Sequence, residues 1–303
     1  MQTLLKLQKG DQVEIIAPAS RCNNEELHLL KELLESWDLK CIIDPNLLGD
    51  DLLFSNSDNN RSHLLKTALF RDQTKAIICV RGGYGSMRLI PELSKILPPK
   101  NQKIFIGMSD ITALHLFLQQ KWQWSVIHGS LSVLKFTKES IDQMKAILFG
   151  NINHVEFDGI PLNQAAKDKK VINAKITGGN LCVVQCSLGT IWQINSENKI
   201  IFLEEINERG YRIDRILNHL KQAGIFNQAS AIIFGDFIGG KEPNGSSIIH
   251  LVLKRFALEI NIPVVQVTGV GHDRVNFPLP LGMDANLYLD EKIKLTVLSR
   301  IIT

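Results

Sequence analysis

Short runs of β-branched and apolar residues alternate with stretches of helical periodicity along the first half of this chain. That alternation is how a parallel sheet covered by helices is written in sequence. Residues 13–17 (VEIIA) are the first such run. Pro18, Ala19 and Ser20 turn the chain, and Asn24, Glu25 and Glu26 supply a capping residue and first-turn acids for a helix with Leu27, Leu30, Leu34 and Trp37 on one face. A strand is expected at 41–43, then a polar stretch over 49–60, a helix carrying Leu64, Leu65, Ala68 and Leu69, and an apolar strand at 76–80. Further strands at 104–106 and 126–127 flank an apolar helix over 111–119.

The segment 151–170 loses this periodicity and ends in the charged run 167–170, so it reads as a linker between a domain over 1–150 and a second over 171–303. Past it, a buried helix at 181–188, a strand at 200–203 and an amphipathic helix at 212–223 stopped by Gly224 are expected. Strands at 231–234, 264–266 and 293–297 follow. The expected class is α/β, and a length of 303 residues suits about two domains.

Composition narrows the partners. Thirty-four basic against 31 acidic side chains leave a net charge of +3, too little to make nucleic acid or an anionic membrane the main partner, so a small neutral or zwitterionic ligand fits better. The five cysteines (Cys22, Cys41, Cys79, Cys182, Cys186) are odd in number and scattered, and read as reduced core thiols. Cys182 and Cys186 can share a helical face, but no His or Cys set completes a metal site at a familiar spacing, so no metal or other cofactor is expected. No stretch reaches about 18 uninterrupted apolar residues, and the amino-terminal MQTLLKLQKGDQ meets a charge before any run of signal-peptide length. The expected location is the cytoplasm.

Chemistry is most legible at Gly107-Met108-Ser109-Asp110, where an apolar strand runs into a helix. A serine on a sharp strand-to-helix turn projects its hydroxyl away from the sheet, and the N–H of the next residue can stabilise an oxyanion. Ser109 is therefore a candidate nucleophile, while Ser109 or Asp110 as a plain helix cap is the competing reading. A full Gly-x-Ser-x-Gly elbow would place a small residue where Ile111 stands. Of the eight histidines, His28, His63, His219 and His250 fall in helical patterns, His154 in the linker, and His115 too far along the helix after Ser109. His128 follows a strand and is placed to line a cleft. His272 stands in a loop, Gly269-Val270-Gly271-His272, where no helix claims the ring. Glu204, ending the strand at 200–203, is the best-placed acid to orient an imidazole, with Glu205 and Glu208 as competitors. The loop Arg81-Gly82-Gly83-Tyr84-Gly85-Ser86 also follows a strand; it is neither a dinucleotide fingerprint nor a Walker loop, and it suits either an anion or a tight turn.

Together these segments resemble the LD-carboxypeptidases, serine peptidases that include the muramoyl-tetrapeptide carboxypeptidases and the microcin C immunity peptidases. The resemblance runs through Ile15-Ile16-Ala17-Pro18-Ala19-Ser20, the glycine loop, Gly107 to Leu114, Ile127-His128-Gly129, Gly178-Gly179-Asn180-Leu181, Leu203-Glu204-Glu205, Tyr211 to Arg215, Gly271-His272, Asn276 and Pro280-Leu281-Gly282. It implies a triad on Ser109, Glu204 and His272, and an oxyanion hole from the amides of Gly83 and Asp110. It also implies a Rossmann-like amino-terminal domain, a smaller carboxy-terminal domain with the active site between them, and a homodimer. The implied reaction releases the terminal D-alanine of murein tetrapeptides in peptidoglycan recycling. Two positions depart from the pattern: Met108 stands where the family often has an aromatic, and Ile191 where proline is common. Arg81 and Arg274 are candidates for the substrate carboxylate, with surface salt bridges as the alternative. A peptidyl-nucleotide toxin is a second possible substrate, for which Trp122, Trp124 and Trp192 are available. A non-catalytic α/β protein binding a phosphate or sugar at Gly82 and Gly83 is a reading of another class.

Overall fold

Strand β1 (Gln12–Ile16) is buried on both faces from Val13 onward, which suits a position inside a sheet with helices on each side. The computed structural model describes residues 5–299, so the first four residues of the amino-terminal stretch discussed above lie outside the described residues. Helix α1 (Asn24–Glu35) is capped one residue earlier than expected from sequence. Asn23 is the N-cap, its side chain accepting from the Glu26 N–H at 2.7 Å while Glu26 Oε2 accepts from the Asn23 N–H at 2.9 Å. Next come β2 (Lys40–Ile42), α2 (Asp58–Phe70), β3 (Thr74–Cys79), the short α3 (Ile90–Leu93), β4 (Ile104–Gly107), α4 (Thr112–Trp122), β5 (Val126–His128) and α5 (Lys138–Phe149).

The second half supplies β6 (His154–Pro161), β7 (Lys170–Asn180), α6 (Leu181–Cys186), β8 (Lys199–Ile206), α7 (Gly210–Gln222), β9 (Ala231–Ile238), α8 (Ile249–Leu258), β10 (Val264–Val267), β11 (Leu279–Leu281), β12 (Asp284–Leu289) and β13 (Ile293–Leu298). The strands form two sheets. The first has the order β11-β5-β4-β3-β1-β2, parallel except for β11; the second closes into a barrel, β10-β6-β13-β12-β7-β8-β9. Within the barrel, β7 to β10 run parallel and are joined by helices, while β6, β12 and β13 are antiparallel. On α7 the expected stripe Ile213, Ile216, Leu217 and Leu220 is buried, each such side chain contributing about 1.5–3 kcal/mol of transfer energy.

Two expectations change. The stretch 151–170 is not a structureless linker, because β6 occupies 154–161 and pairs with β13 and β10. Its alternation has period two, with Val155 and Phe157 buried between exposed His154, Glu156 and Asp158. The first sheet is also not wholly amino-terminal, since β11 crosses from the second half to pair antiparallel with β5, Leu279 opposite His128. Of the cysteines, all free, Cys22 and Cys79 are buried, but Cys186 is exposed. Among the described residues no helix is long and apolar enough to cross a membrane.

Asn163 ties the segment after β6 into the barrel. Its Nδ2 donates to the carbonyls of Ala257, Ile260 and Ile262, and its Oδ1 accepts from the N–H groups of Ala166 and Val264. Removing a buried amide of this kind strands its partners, so Asn163→Ala is expected to lower stability by about 2–3 kcal/mol. A urea denaturation midpoint that does not move would contradict this role.

Candidate active site

Ser109 sits where β4 ends and a single 3-10 turn leads into α4, and its φ is +61°. A non-glycine residue in this region carries about 1–2 kcal/mol of backbone strain, held here by close packing on both sides of the turn. On one side Gly107 leaves room for Ile111: a Cβ at 107 would lie 2.5 Å from Ile111 Cγ2. The small residue missing at 111 is thus compensated at 107. On the other side a Cβ at Gly82 would lie 2.8 Å from Ser109 Cβ, so the glycine loop can lie directly against the serine only without a side chain there.

The glycine loop is fastened to this turn. Ser86 donates its N–H to Asp110 Oδ2 at 2.8 Å and its hydroxyl to the Asp110 carbonyl at 2.7 Å. Gly83 has φ +110° and faces Ser20, whose hydroxyl accepts from the Tyr84 N–H at 3.1 Å; a side chain at 83 would collide with Ser20. Beneath the loop the fully buried Arg61 guanidinium donates to the carbonyls of Pro18 and Gly85 and pairs with Asp58. A cation desolvated this way is retained only if its donors are used, and here they hold two loops in register.

Glu204 and His272 meet from the barrel side. Glu204 is in β8 opposite Asn180 of β7, and its Oε2 lies 2.6 Å from His272 Nδ1. The pair is buried, with Glu204 0% and His272 8% exposed. The loop that carries His272 is pinned by several bonds: Asp236 takes Gly269 N–H on its Oδ1 and gives its own N–H to Val270, while Asn276 Oδ1 accepts from Gly271 N–H. Asn276 also donates to Met108 Sδ at 3.4 Å, so the methionine that departs from the family pattern connects the histidine loop to the residue before Ser109.

The three candidate acids separate by environment. Glu205 turns the other way and accepts from Asn180 Nδ2, Cys182 N–H and Ile206 N–H, tying the start of α6 to β8. Glu208 pairs with Arg212 at 2.5 Å near the surface. Burial, with Glu204 alongside, pushes the Glu205 carboxyl up to about 7, and burial pushes Asp236 up to about 6.

Ser109, His272, Gly82 and Gly83 line one cavity of about 400 Å³, together with Glu26, Arg81, Lys135 and Asn207. Arg81 Nη1 is 3.6 Å from Glu26 Oε2 and donates to the Arg21 carbonyl. Arg274 is exposed and does not line this cavity. Lys135, beside the Phe136 ring at 5.3 Å, was not singled out from sequence; it lies on an irregular loop whose only signal is one charge between apolar residues. Its ammonium is partly desolvated, which lowers its pKa, while nearby Glu204 raises it. Asn207 was likewise missed, though its φ of +63° marks a special turn after β8. His128 does not line the cavity as expected but lies fully buried behind Glu204. Trp122, Trp124 and Trp192 are buried and none faces the cavity. Among the described residues no cluster of His, Cys, Asp and Glu is arranged to hold a metal ion.

The LD-carboxypeptidase N-terminal domain matches residues 13–129 and the LD-carboxypeptidase C-terminal domain matches residues 173–287. The chain belongs to the LD-carboxypeptidase family. A putative carboxypeptidase of Rickettsia conorii is 39% identical over 95% of this chain and 91% of the relative. A probable murein peptide carboxypeptidase of Bacillus subtilis is 30% identical over 94% and 91%. The solved microcin C7 self-immunity protein superposes with a TM-score of 0.85 at 18% identity, covering 100% of both chains, which speaks to the fold. In LD-carboxypeptidase terms, Ser109 and the glycine loop fall in the N-terminal family domain, and Glu204 and His272 in the C-terminal one.

Two measurements test this geometry. Glycine relieves the strain at 109 whereas alanine keeps it, so Ser109→Gly is expected to exceed Ser109→Ala in stability by about 1 kcal/mol; the reverse order would mean a relaxed turn. Glu205 and Asp236 bind protons more tightly folded than unfolded. Their contribution is fully present below the ordinary carboxylate pKa and is lost as pH rises through about 6 to 7. Urea midpoints should therefore decline between about pH 4.5 and 7, with a shallower slope in Glu205→Gln.

Proposed function

We propose that this chain is a serine-type LD-carboxypeptidase that releases the terminal D-alanine of murein tetrapeptides. The observation that carries the reading is the 2.6 Å bond between Glu204 and His272 in a cavity that His272 shares with the strained Ser109. With Glu204 ionised, His272 Nδ1 keeps its proton and Nε2 is free to take the proton of Ser109 as its oxygen attacks the carbonyl of the bond to D-alanine. The developing oxyanion is met by the N–H groups of Gly83 and Asp110. The protonated Nε2 then returns its proton to the departing amine of D-alanine, and water, deprotonated by the same imidazole, hydrolyses the ester to regenerate Ser109. Glu204 fixes the tautomer and stabilises the imidazolium between the two steps.

A carboxypeptidase must also recognise a terminal carboxylate. Arg81 is already engaged by Glu26, whereas no ion pair holds Lys135 among the described residues, so Lys135 is the cation for that carboxylate and Arg81 supports the same wall. Murein recycling would place the enzyme in the cytoplasm, with the site between the two domains and a homodimer as the assembly implied by the family. The likeness to a probable murein peptide carboxypeptidase at 30% identity supports the substrate class.

The test is to incubate tri-, tetra- and pentapeptide wall stems with the protein and follow free D-alanine. Release from the tetrapeptide, lost in Ser109→Ala, is expected; retained release in that variant sinks the serine mechanism. Lys135→Met is expected to raise KM for the tetrapeptide roughly tenfold or more, as loss of a charge-assisted contact does, and to abolish the preference for a free terminal carboxylate over its carboxamide. If no stem is cleaved and a peptidyl-nucleotide is, the substrate assignment moves to the toxin.

A further inference from the structure

Behind Glu204 lies a line of buried polar groups that the proposed mechanism does not use. The Glu204 oxygen that does not face His272, Oε1, has no hydrogen-bond partner among the described residues, and neither do the two ring nitrogens of His128 nor the two of His115. All three side chains are fully buried. His128 Nε2 is 3.9 Å from Glu204 Oε1, and the rings of His128 and His115 are 6.5 Å apart in an edge-to-face arrangement. Phe202 packs against the His128 ring at 5.3 Å, and Phe105 against His115 at 5.8 Å.

Each orphaned buried polar atom costs about 1–3 kcal/mol, so interiors retain few of them. Apolar side chains would fill the same space without that penalty. Three such groups in a row, ending on the carboxylate that holds His272, call for a role besides packing. Burial keeps both histidines neutral, lowering His115 to about 3 and His128 far below the ordinary imidazole value. A neutral imidazole has one N–H to give, and the nitrogen facing Glu204 is Nε2.

We infer that His128 is a positioning residue of this site: its Nε2–H serves Glu204 Oε1 after an approach of about 1 Å, with His115 behind it, extending the proposed triad inward as His115, His128, Glu204 and His272. The inference rests on the reading of Glu204 and His272 as the acid and base of that triad. The other titratable groups near Glu204 are Glu205 on the same strand, Asp236 on β9 and Lys135 on the loop after β5, with Asp273 next to His272 in the chain. None of them donates to Oε1. A donor on Oε1 draws charge away from Oε2, so it weakens the hold of the carboxylate on the imidazolium and keeps His272 a free base at lower pH.

The experiment compares His128→Gln, whose amide nitrogen reaches the place of Nε2, with His128→Asn, whose amide stops short, and with His128→Phe, which has no donor. The pKa of His272 is read twice, from the low-pH limb of kcat/KM and, without substrate, from NMR titration of its imidazole. In the Asn and Phe variants both readings should rise by roughly half a unit to one unit with KM little changed, while Gln stays near the wild type. Identical behaviour of Gln and Asn, or no shift in either folded variant, overturns the inference. A wild type whose His272 titrates and responds as described, but which cleaves no wall peptide, leaves the inference standing and removes the substrate reading instead.

Discussion

The antiparallel pairing of β11 with β5 is the contact on which the cavity depends. The loop that carries His272 leaves the barrel at the end of β10 and is caught again by the first sheet, where Leu279, Pro280 and Leu281 lie opposite His128, Ile127 and Val126. It is therefore stretched between two sheets instead of hanging from one. Ser109, at the end of β4 beside β5, shares that sheet with the anchoring strand. A slip of the β11 register by one residue would turn every side chain of that strand to the opposite face and drag the histidine loop with it.

Around this anchor the chain concentrates features that cost stability. Among them are a non-glycine turn with positive φ, a buried guanidinium and two adjacent buried glutamates. Each is compensated locally: Gly107 and Gly82 make room around the turn, Arg61 spends its donors on backbone carbonyls, and Glu205 accepts three N–H bonds where Glu204 accepts one contact from His272. The division between the two glutamates is physical, one carboxylate used up by structure and its neighbour left with reactive company. Strain of this sort persists only where surrounding structure over-determines it.

Much of the first sheet was legible because its strands are continuous apolar runs bounded by turn residues, and Ser109, Glu204 and His272 stood out because each follows such a run. The barrel was less legible for reasons of pattern. Strand β6 alternates apolar and charged residues with period two, and it sits where a search for helical faces finds nothing. Strand β7 mixes Lys, Asn and Thr with two glycines, Gly178 and Gly179, whose lack of side chains answers to close approach by Phe202 and Thr112 from other parts of the chain. Lys135 and Glu26 reach the cavity from a loop and from the first turn of a helix, where no local rule marks a charge as inward-facing. His128 looked like a cleft residue from its place after a strand; only the packing of Phe202 and Glu204 around it reveals a buried position.

Closure of the barrel has a consequence for how copies of this chain can meet. A closed sheet offers no free row of N–H and C=O groups, so among the described residues only the first sheet has edges. Those edges are β2 and β11, three residues each, the one beginning with an exposed lysine and the other carrying Pro280, which has no N–H to give. Both are poor templates for a further strand. Lateral growth of the sheet into ribbons or fibrils is disfavoured at either end, which leaves side-chain surfaces as the better ground for contact between copies of this protein.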